Sequence, residues 1–410
     1  MPEFLTLLPP EDALNRLLEH LDFSSDPELV ATSEALMRVT ANPVAAPHPL
    51  PEFPRSTVDG FALRAMDTHG ANESLPAYLP MVGEVPMGAS PTFSIQPSEC
   101  ALIHTGGMLP MGADAVVMVE YTQTTRNDEV EILHSVAKGE NVIQVGEDVR
   151  ADQVVIPKGT ILRPAEIGGL MALGFTQIEV AKCPRVAIIS SGDEVIPPEH
   201  SPSPGEVRDI NTYTLSAVIQ RAGGIPVPYG IISDQQDTML AAVTQAHQEC
   251  DMVVVTAGSS ASTRDLTAAV FDQLGNPGVL VHGINTRPGK PTILGVCSGK
   301  AVIGLPGNPV SALVNANLFV RPILIFLTGS KELRPKPYVP ARLSLNLASV
   351  TGREDWIPIK LIPSTDGYQA EPIFGKSNLI FTLVNADGLL RIPPDANGLS
   401  AGTPVKVFIL

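Results

Sequence analysis

The sequence is short of charge, and positive charge is nowhere concentrated. Of its 410 residues 17% are charged, with 27 Lys plus Arg against 43 Asp plus Glu, a formal net charge of −16. No Lys/Arg-rich run occurs. A nucleic-acid binder needs a basic face to neutralise phosphates, so that class is disfavoured and no nucleic-acid partner is expected. A small anionic ligand is still allowed, because local cations and helix N-termini decide its binding. Paired cysteines are also missing. Cys100, Cys183, Cys250 and Cys297 are widely scattered, without zinc or redox spacing, and read as buried thiols in a reducing cytosol. The N-terminal Met1-Pro-Glu-Phe lacks a basic segment and a long apolar core, so no secretory signal is expected. The most apolar run, Leu318 to Leu327, contains Arg321 and Pro322 and is too short for a bilayer span, so no membrane partner and a cytoplasmic location are expected. The Walker lysine motif, the dinucleotide-binding glycine fingerprint, internal repeats and low-complexity tracts are all absent.

A hydrophobic content of 44% over this length predicts a folded chain of two to four domains. Leu14, Leu17, Leu18 and Leu21 form a helical stripe. Asp26 is placed to cap a second helix reaching about Arg38. Five prolines between Pro43 and Pro54 mark a first boundary. Short β-like runs split by Gly and Pro then predict a β-rich domain to about residue 150. Pro164 to Leu173 reads as a helix. From Arg185, strands alternate with helices, which predicts a parallel sheet covered on both faces. Ligands of such sheets bind beyond the carboxyl ends of the strands. Asp193, Glu194, Ser259 to Ser262, Gly307 and Asn308 all follow strands, and are expected at one sheet edge. Beyond Gly329, prolines and charges mark a second boundary, and residues 340–410 read as a small β-barrel.

One stretch organises this pattern. Arg287-Pro-Gly-Lys290-Pro precedes a strand at Ala301 to Gly304, which ends in Leu305-Pro-Gly-Asn308-Pro. Asn308 suits an N-cap and Pro309 the first helical position, with the helix running to about Leu327. A helix N-terminus beside Arg287 and Lys290 is suited to phosphate. Gly-Asn-Pro alone is an ordinary strand-to-helix turn; two such turns together point to a ligand mouth. Asp59, Thr105 and Asp148 each read as turn residues when taken singly.

Ser56-Thr-Val-Asp-Gly-Phe-Ala, His104-Thr-Gly-Gly, Gly146-Glu-Asp, Ser191-Gly-Asp-Glu, Asp209-Ile-Asn, Arg287-Pro-Gly-Lys-Pro, Leu305-Pro-Gly-Asn-Pro-Val-Ser-Ala, the Ser377 region and Asn385-Ala-Asp-Gly occur in that order. As an ordered set covering essentially the whole chain, they resemble molybdopterin molybdenumtransferase, the family that includes the E-domain of gephyrin. The resemblance implies a multidomain α/β plus β fold. Residues 1–45 and 147–180 would form an elongated helical domain, 46–146 a β-rich domain, 181–328 a three-layer α/β domain and 329–410 a C-terminal β-barrel. It implies insertion of molybdenum from molybdate into adenylylated molybdopterin, with Mg²⁺-dependent loss of AMP. By position it assigns catalytic roles to Asp59, Thr105, Asp148, Glu194 and Asp265, with Glu194, Asp209 and Asp265 as metal ligands. It places Asp209, Ser260, Arg287, Lys290, Gly307, Asn308 and Ser311 against the pterin nucleotide. A homodimer sharing its sites, and an upstream adenylyltransferase as supplier, complete the implied partners.

The side chains suit this chemistry. Mg²⁺ wants carboxylate oxygens, and pyrophosphate wants cations and backbone amides. Phosphoanhydride cleavage needs positioning and charge neutralisation more than a nucleophile. Two departures stand out. Where the family loop is glycine-rich, Ala257-Gly-Ser-Ser-Ala-Ser262 loses two glycines, which predicts a different backbone path at the nucleotide. Arg287 stands where lysine is common and favours bidentate oxyanion contacts. A pterin- or nucleotide-binding scaffold without turnover, tungsten in place of molybdenum, and a nucleotide hydrolase built on the α/β domain are the alternative readings. The β domain carrying Asp59 argues against the hydrolase.

Overall fold

The computed structural model describes residues 7–22, 26–124, 128–257, 261–331 and 337–409, with backbone only over 261–264. The chain forms two compact units. One comprises Asn42–Lys158 and Pro164–Thr176; the other comprises Met1–Ala41, Gly159–Arg163 and Gln177–Leu410.

The first unit is built on a six-stranded sheet in the order Ala115–Met118, Gly60–Leu63, Cys100–Ile103, Ala77–Val85, Glu129–Ile132, Thr122–Thr124. All four residues of Gly60–Leu63 are buried, because side chains of both faces find cover. Phe61 and Leu63 enter one apolar cluster with Val117 and Ile132. Ala62 enters another with Val85, Ile103 and Val116. This alternation is the two-residue period of a pleated strand. Gly60 is required by close approach: a Cβ there would lie 1.9 Å from the Val117 carbonyl oxygen. The expected helix at Pro164 is present as Pro164–Ala172.

The second unit carries another six-stranded sheet, ordered Ile225–Ile232, Arg185–Ser191, Met252–Ala257, Lys300–Pro306, Ile293–Cys297, Pro277–His282. The first four strands are parallel, as expected. The last two run antiparallel, so the sheet is mixed. The reason is local: Ser298 and Gly299, both at positive φ, join Ile293–Cys297 directly to Lys300–Pro306 as a hairpin. Val186, Ile188, Val254 and Ile303 pack on one side of the sheet, and Ala187, Ile189, Val253 and Val302 on the other. The Pro10–Leu18 helix, with Glu11 and Asp12 in its first turn and Arg16 in its last, buries Ala13 and Leu17 against the first of these faces.

One expectation fails here. Residues 27–31 are not helical: Pro27–Ala31 is a strand, paired antiparallel with Gln177–Ala181. A partner nearly 150 residues away outweighs local helix signals. The segment Pro309–Leu327 is one continuous helix of 19 residues, long and apolar enough to cross a membrane by length and composition. Arg321 and Pro322 do not end it. A π-helical segment, Ala316–Val320, lies just ahead of Pro322, which has no N–H to offer the preceding turn. Ala316, Phe319, Val320, Ile323 and Leu324 of this helix are buried in the protein core.

Residues 338–409 form the expected barrel. Glu354–Ser364, Gly367–Pro372, Tyr338–Leu343, Pro404–Ile409 and Gly388–Ile392 pair in that order, and pairing of the first with the last closes it. The cysteines are free, with Cys100, Cys250 and Cys297 buried. Burial pushes the Cys100 thiol up to about 12 and the Cys297 thiol to about 11, so neither supplies thiolate at neutral pH.

Candidate active site

The Arg287 and Lys290 turn leads from the sheet to the barrel. Thr286–Arg287 adds to the barrel edge, parallel to Glu354–Asp355. The Asn285 carbonyl accepts the Glu354 amide at 3.1 Å, and the Thr286 hydroxyl donates to the Glu354 carbonyl at 3.1 Å. Glu354 is itself fixed, although only 5% exposed. It accepts the Trp356 indole N–H at 2.7 Å and Arg391 Nε at 2.8 Å. With such partners the buried carboxylate holds the barrel edge in register.

These contacts open a cavity of about 890 Å³ between the turn and the barrel. Arg287, Lys290, Asn308 and Ser311 all line it, so the structure brings together four of the seven residues expected at the nucleotide. Gly307 does not line it; its carbonyl accepts the Asn211 side-chain amide at 2.8 Å. Ser260 lies outside the described residues, as do Gly258 and Ser259 of the Ala257 to Ser262 loop. Asn308 occupies the N-cap with Pro309 following, but its side chain makes no capping hydrogen bond. The helix instead receives backbone help: the Val310 amide donates to the Ser377 carbonyl at 3.0 Å.

The barrel contributes a wall that the turn motifs do not announce: Arg353, Asp355, Trp356, Phe374, Lys376 and Ser377. Arg353 binds Asp355 through Nε at 2.7 Å and through a second nitrogen at 3.0 Å. The Ser349 hydroxyl donates to the same carboxylate at 3.0 Å. Asp355 is therefore compensated, which leaves Arg287, Lys290 and Lys376 to set the sign of the cavity. A chain of net charge −16 thus carries a locally basic cleft.

The carboxylates expected near phosphate stand apart from this lining. Glu194 and Asp265 are exposed, and neither side chain bonds another described residue. Glu194 follows Arg185–Ser191, and Asp265 lies in the Ala261–Phe271 helix after Met252–Ala257. These strands and Lys300–Pro306 are parallel neighbours, so all three chain segments leave the sheet at one edge, as expected. Asp209 is 6% exposed and accepts the Thr212 amide, in the first turn of the Asn211–Arg221 helix, at 3.1 Å. Among the described residues no three His, Cys, Asp or Glu side chains come together as a metal cage. The donor set fits the other mode typical of Mg²⁺, in which one or two carboxylates act together with substrate phosphates.

In the other unit, Asp59 and Thr105 meet. The Thr105 amide donates to Asp59 Oδ1 at 2.8 Å, and its hydroxyl lies 3.2 Å from the same oxygen. The Thr105 amide, foremost, holds the Asp59 carboxyl below the usual carboxylate range; the Thr105 hydroxyl and the charge of His104 act in the same direction. His104 was not singled out from sequence, though it stands beside Thr105 in a quoted motif. Its Nδ1 is 3.8 Å from Asp59, and its Nε2 is 3.0 Å from Glu84. Asp148 is exposed in a separate turn, its amide donating to the Leu50 carbonyl at 3.1 Å.

Three family models cover nearly the whole chain: "MoeA N-terminal region (domain I and II)" over 8–174, "Probable molybdopterin binding domain" over 187–325 and "MoeA C-terminal region (domain IV)" over 340–410. The molybdopterin molybdenumtransferase of Nostoc is 32% identical, with 96% of this chain and 91% of that protein aligned. The chain belongs to the molybdopterin molybdenumtransferase family. A Mycobacterium tuberculosis protein, molybdopterin molybdenumtransferase 2, is also 32% identical, with 94% of this chain and 95% of that one aligned. The crystal structure of the Pyrococcus horikoshii molybdopterin biosynthesis MoeA protein superposes with a TM-score of 0.86 at 31% identity, covering 99% of this chain and 100% of that one. Membership places the chain in molybdenum cofactor biosynthesis and explains why the sheet, the barrel and the two Pro-Gly turns occur together.

Proposed function

We propose that this transferase inserts molybdenum from molybdate into adenylylated molybdopterin and releases AMP, with Mg²⁺ required. The observation that carries the reading is the basic cavity in which Arg287, Lys290, Asn308 and Ser311 face the barrel residues Arg353, Lys376 and Ser377. Its size suits a ligand larger than a bare oxyanion. Lys290 and Arg287 would take pyrophosphate oxygens, Arg287 as a bidentate donor. Ser311 and Ser377 supply short polar contacts next to the helix start. Molybdate, a divalent oxyanion, suits the same cations, and tungstate shares its charge and shape. Glu194, Asp209 and Asp265 are the carboxylates that would share Mg²⁺ with the phosphates; one Asp209 oxygen also accepts the Thr212 amide. When bound, Mg²⁺ would neutralise charge on the anhydride. The protein's own part is positioning: the cations orient the pyrophosphate, and the barrel wall limits water. Asp59 stays ionised under its Thr105 amide, available to accept a hydrogen bond from substrate.

Beyond the site, the proposal includes a cytoplasmic homodimer whose active sites combine the Asp59, Thr105 and Asp148 group of one copy with the Lys290 group of the other. It also includes an adenylyltransferase as the upstream donor, and the four-domain division at 45, 146, 180 and 328. Reconstitution tests the function. Supplied with adenylylated molybdopterin, molybdate and Mg²⁺, the purified chain is expected to activate a cofactor-free molybdenum enzyme. Equal activation without the chain would overturn the reading, and nucleotide binding without activation would favour a scaffold.

A further inference from the structure

The two glycine turns that bear the cavity are each held from beneath by a buried asparagine. Asn315 is fully buried, and its Nδ2 donates to the Gly289 carbonyl at 3.2 Å. Asn211 is 7% exposed, and its Nδ2 donates to the Gly307 carbonyl at 2.8 Å. A carbonyl only accepts, so each amide must present nitrogen to the turn and oxygen away from it. Both oxygens, Asn315 Oδ1 and Asn211 Oδ1, are buried without a hydrogen-bond partner among the described residues.

That arrangement is poor for stability. A buried unpaired acceptor costs about 1–3 kcal/mol, more than one neutral hydrogen bond returns. An apolar side chain of the same shape would suit either place better. The Asn315 amide takes the space of a side chain at 289, so only glycine fits there: φ is +100°, and a Cβ on Gly289 would fall 1.6 Å from Asn315 Nδ2. The Thr292 hydroxyl binds the same Gly289 carbonyl at 2.8 Å. Two buried donors thus fix one peptide, and Lys290 is the next residue. The Asn315 side chain itself does not line the cavity.

We infer that Asn315 and Asn211 are positioning residues, which hold the Gly289 and Gly307 peptides so that Lys290 and the Asn308 helix start face one anion. The inference rests on the anion-site reading proposed above. It gives an unusual signature at Asn315, where removing the buried amide preserves or raises stability, since Thr292 still binds the Gly289 carbonyl, while lowering anion affinity.

The test is a double-mutant cycle read by titration calorimetry with inorganic pyrophosphate, alongside thermal unfolding. Asn315→Leu keeps the side-chain shape and removes the donor. Its unfolding midpoint should match or exceed the parent's, while pyrophosphate binding weakens about tenfold. In a Lys290→Gln background the same substitution should cost less than about twofold, because the residue acts through Lys290. Asn211→Leu should likewise weaken binding, with a lower midpoint than Asn315→Leu because the Gly307 carbonyl loses its side-chain donor. Additive losses in the cycle, or unchanged affinity in Asn315→Leu, would overturn the inference. Should Asn315→Leu fail to fold, Thr292→Val enters the same cycle, removing the second bond to the Gly289 carbonyl; additivity or unchanged affinity there is equally fatal. Loss of Asn315 control with a normal Lys290→Gln effect refutes positioning alone. An unaltered affinity in Lys290→Gln itself refutes the anion site, and the positioning inference with it.

Discussion

Asp59 shows how a residue that reads as a turn in sequence acquires a different character in place. Its carboxylate is exposed, yet the Thr105 amide holds its pKa down. The folded value lies below the unfolded one. The associated stability is therefore present above the ordinary carboxylate range and is lost as pH falls through the depressed folded value. In a carbon-detected NMR titration Asp59 should titrate below the ordinary range. Thr105→Ala should keep most of that shift, because the backbone amide is the larger cause and survives the substitution; ordinary titration in Thr105→Ala would contradict this. Lys290 is the sharper case. Lys290→Gln should weaken binding of adenylylated molybdopterin by on the order of 1–3 kcal/mol, as for loss of a charged hydrogen bond. Calorimetry that finds the two proteins equal would reduce Lys290 to a turn residue. Lys290, Arg287, Asn308 and Ser311 were legible because their motifs are contiguous. Arg353, Trp356 and Lys376 were not, since nothing local ties the barrel to a turn some 60 residues earlier, and Asn315 is a lone amide in an apolar helix.

At the scale of elements, the long Pro309–Leu327 helix does two jobs. Its start faces the cavity, and its body fills the core of the α/β sheet. Phe319 is fully buried there, within the π-helical segment. Phe319→Ala should cost about 3–5 kcal/mol, the usual price of a large core truncation. Urea unfolding checks it, and a loss below about 1 kcal/mol would mean that the core collapses around the gap. Most strands and helices were readable from periodicity, because each is long or has a clear stop. Pro27–Ala31 was not, since its strand character comes from Gln177–Ala181 across the chain. The antiparallel pair Ile293–Cys297 and Lys300–Pro306 escaped for a different reason: alternating strands and helices suggest parallel pairing, and only the tight Ser298-Gly299 turn says otherwise. Asn308 was placed correctly at the N-cap, but the capping group is the Ser377 carbonyl, which no local pattern reveals.

For the whole molecule, the proposed division of the site between copies makes a prediction about mixed dimers. An Asp59→Ala chain co-expressed with an Asp265→Ala chain should regain part of the activity, because one site in each mixed dimer carries both lesions and the other none. Mixed dimers confirmed by mass spectrometry and still inactive would place each site within one chain. The family and the sheet-plus-barrel architecture were legible because nine motifs lie in order along the chain; the proposed contribution of a second copy is not written in any one of them. The central claim is the reaction itself, and release of AMP measures it most directly. Purified protein mixed with adenylylated molybdopterin, molybdate and Mg²⁺ should release AMP, followed by chromatography. Asp265→Ala, whose exposed carboxylate contributes little to folding, should keep its circular dichroism spectrum and release none. No AMP from the parent protein, or full release by Asp265→Ala, would contradict the account.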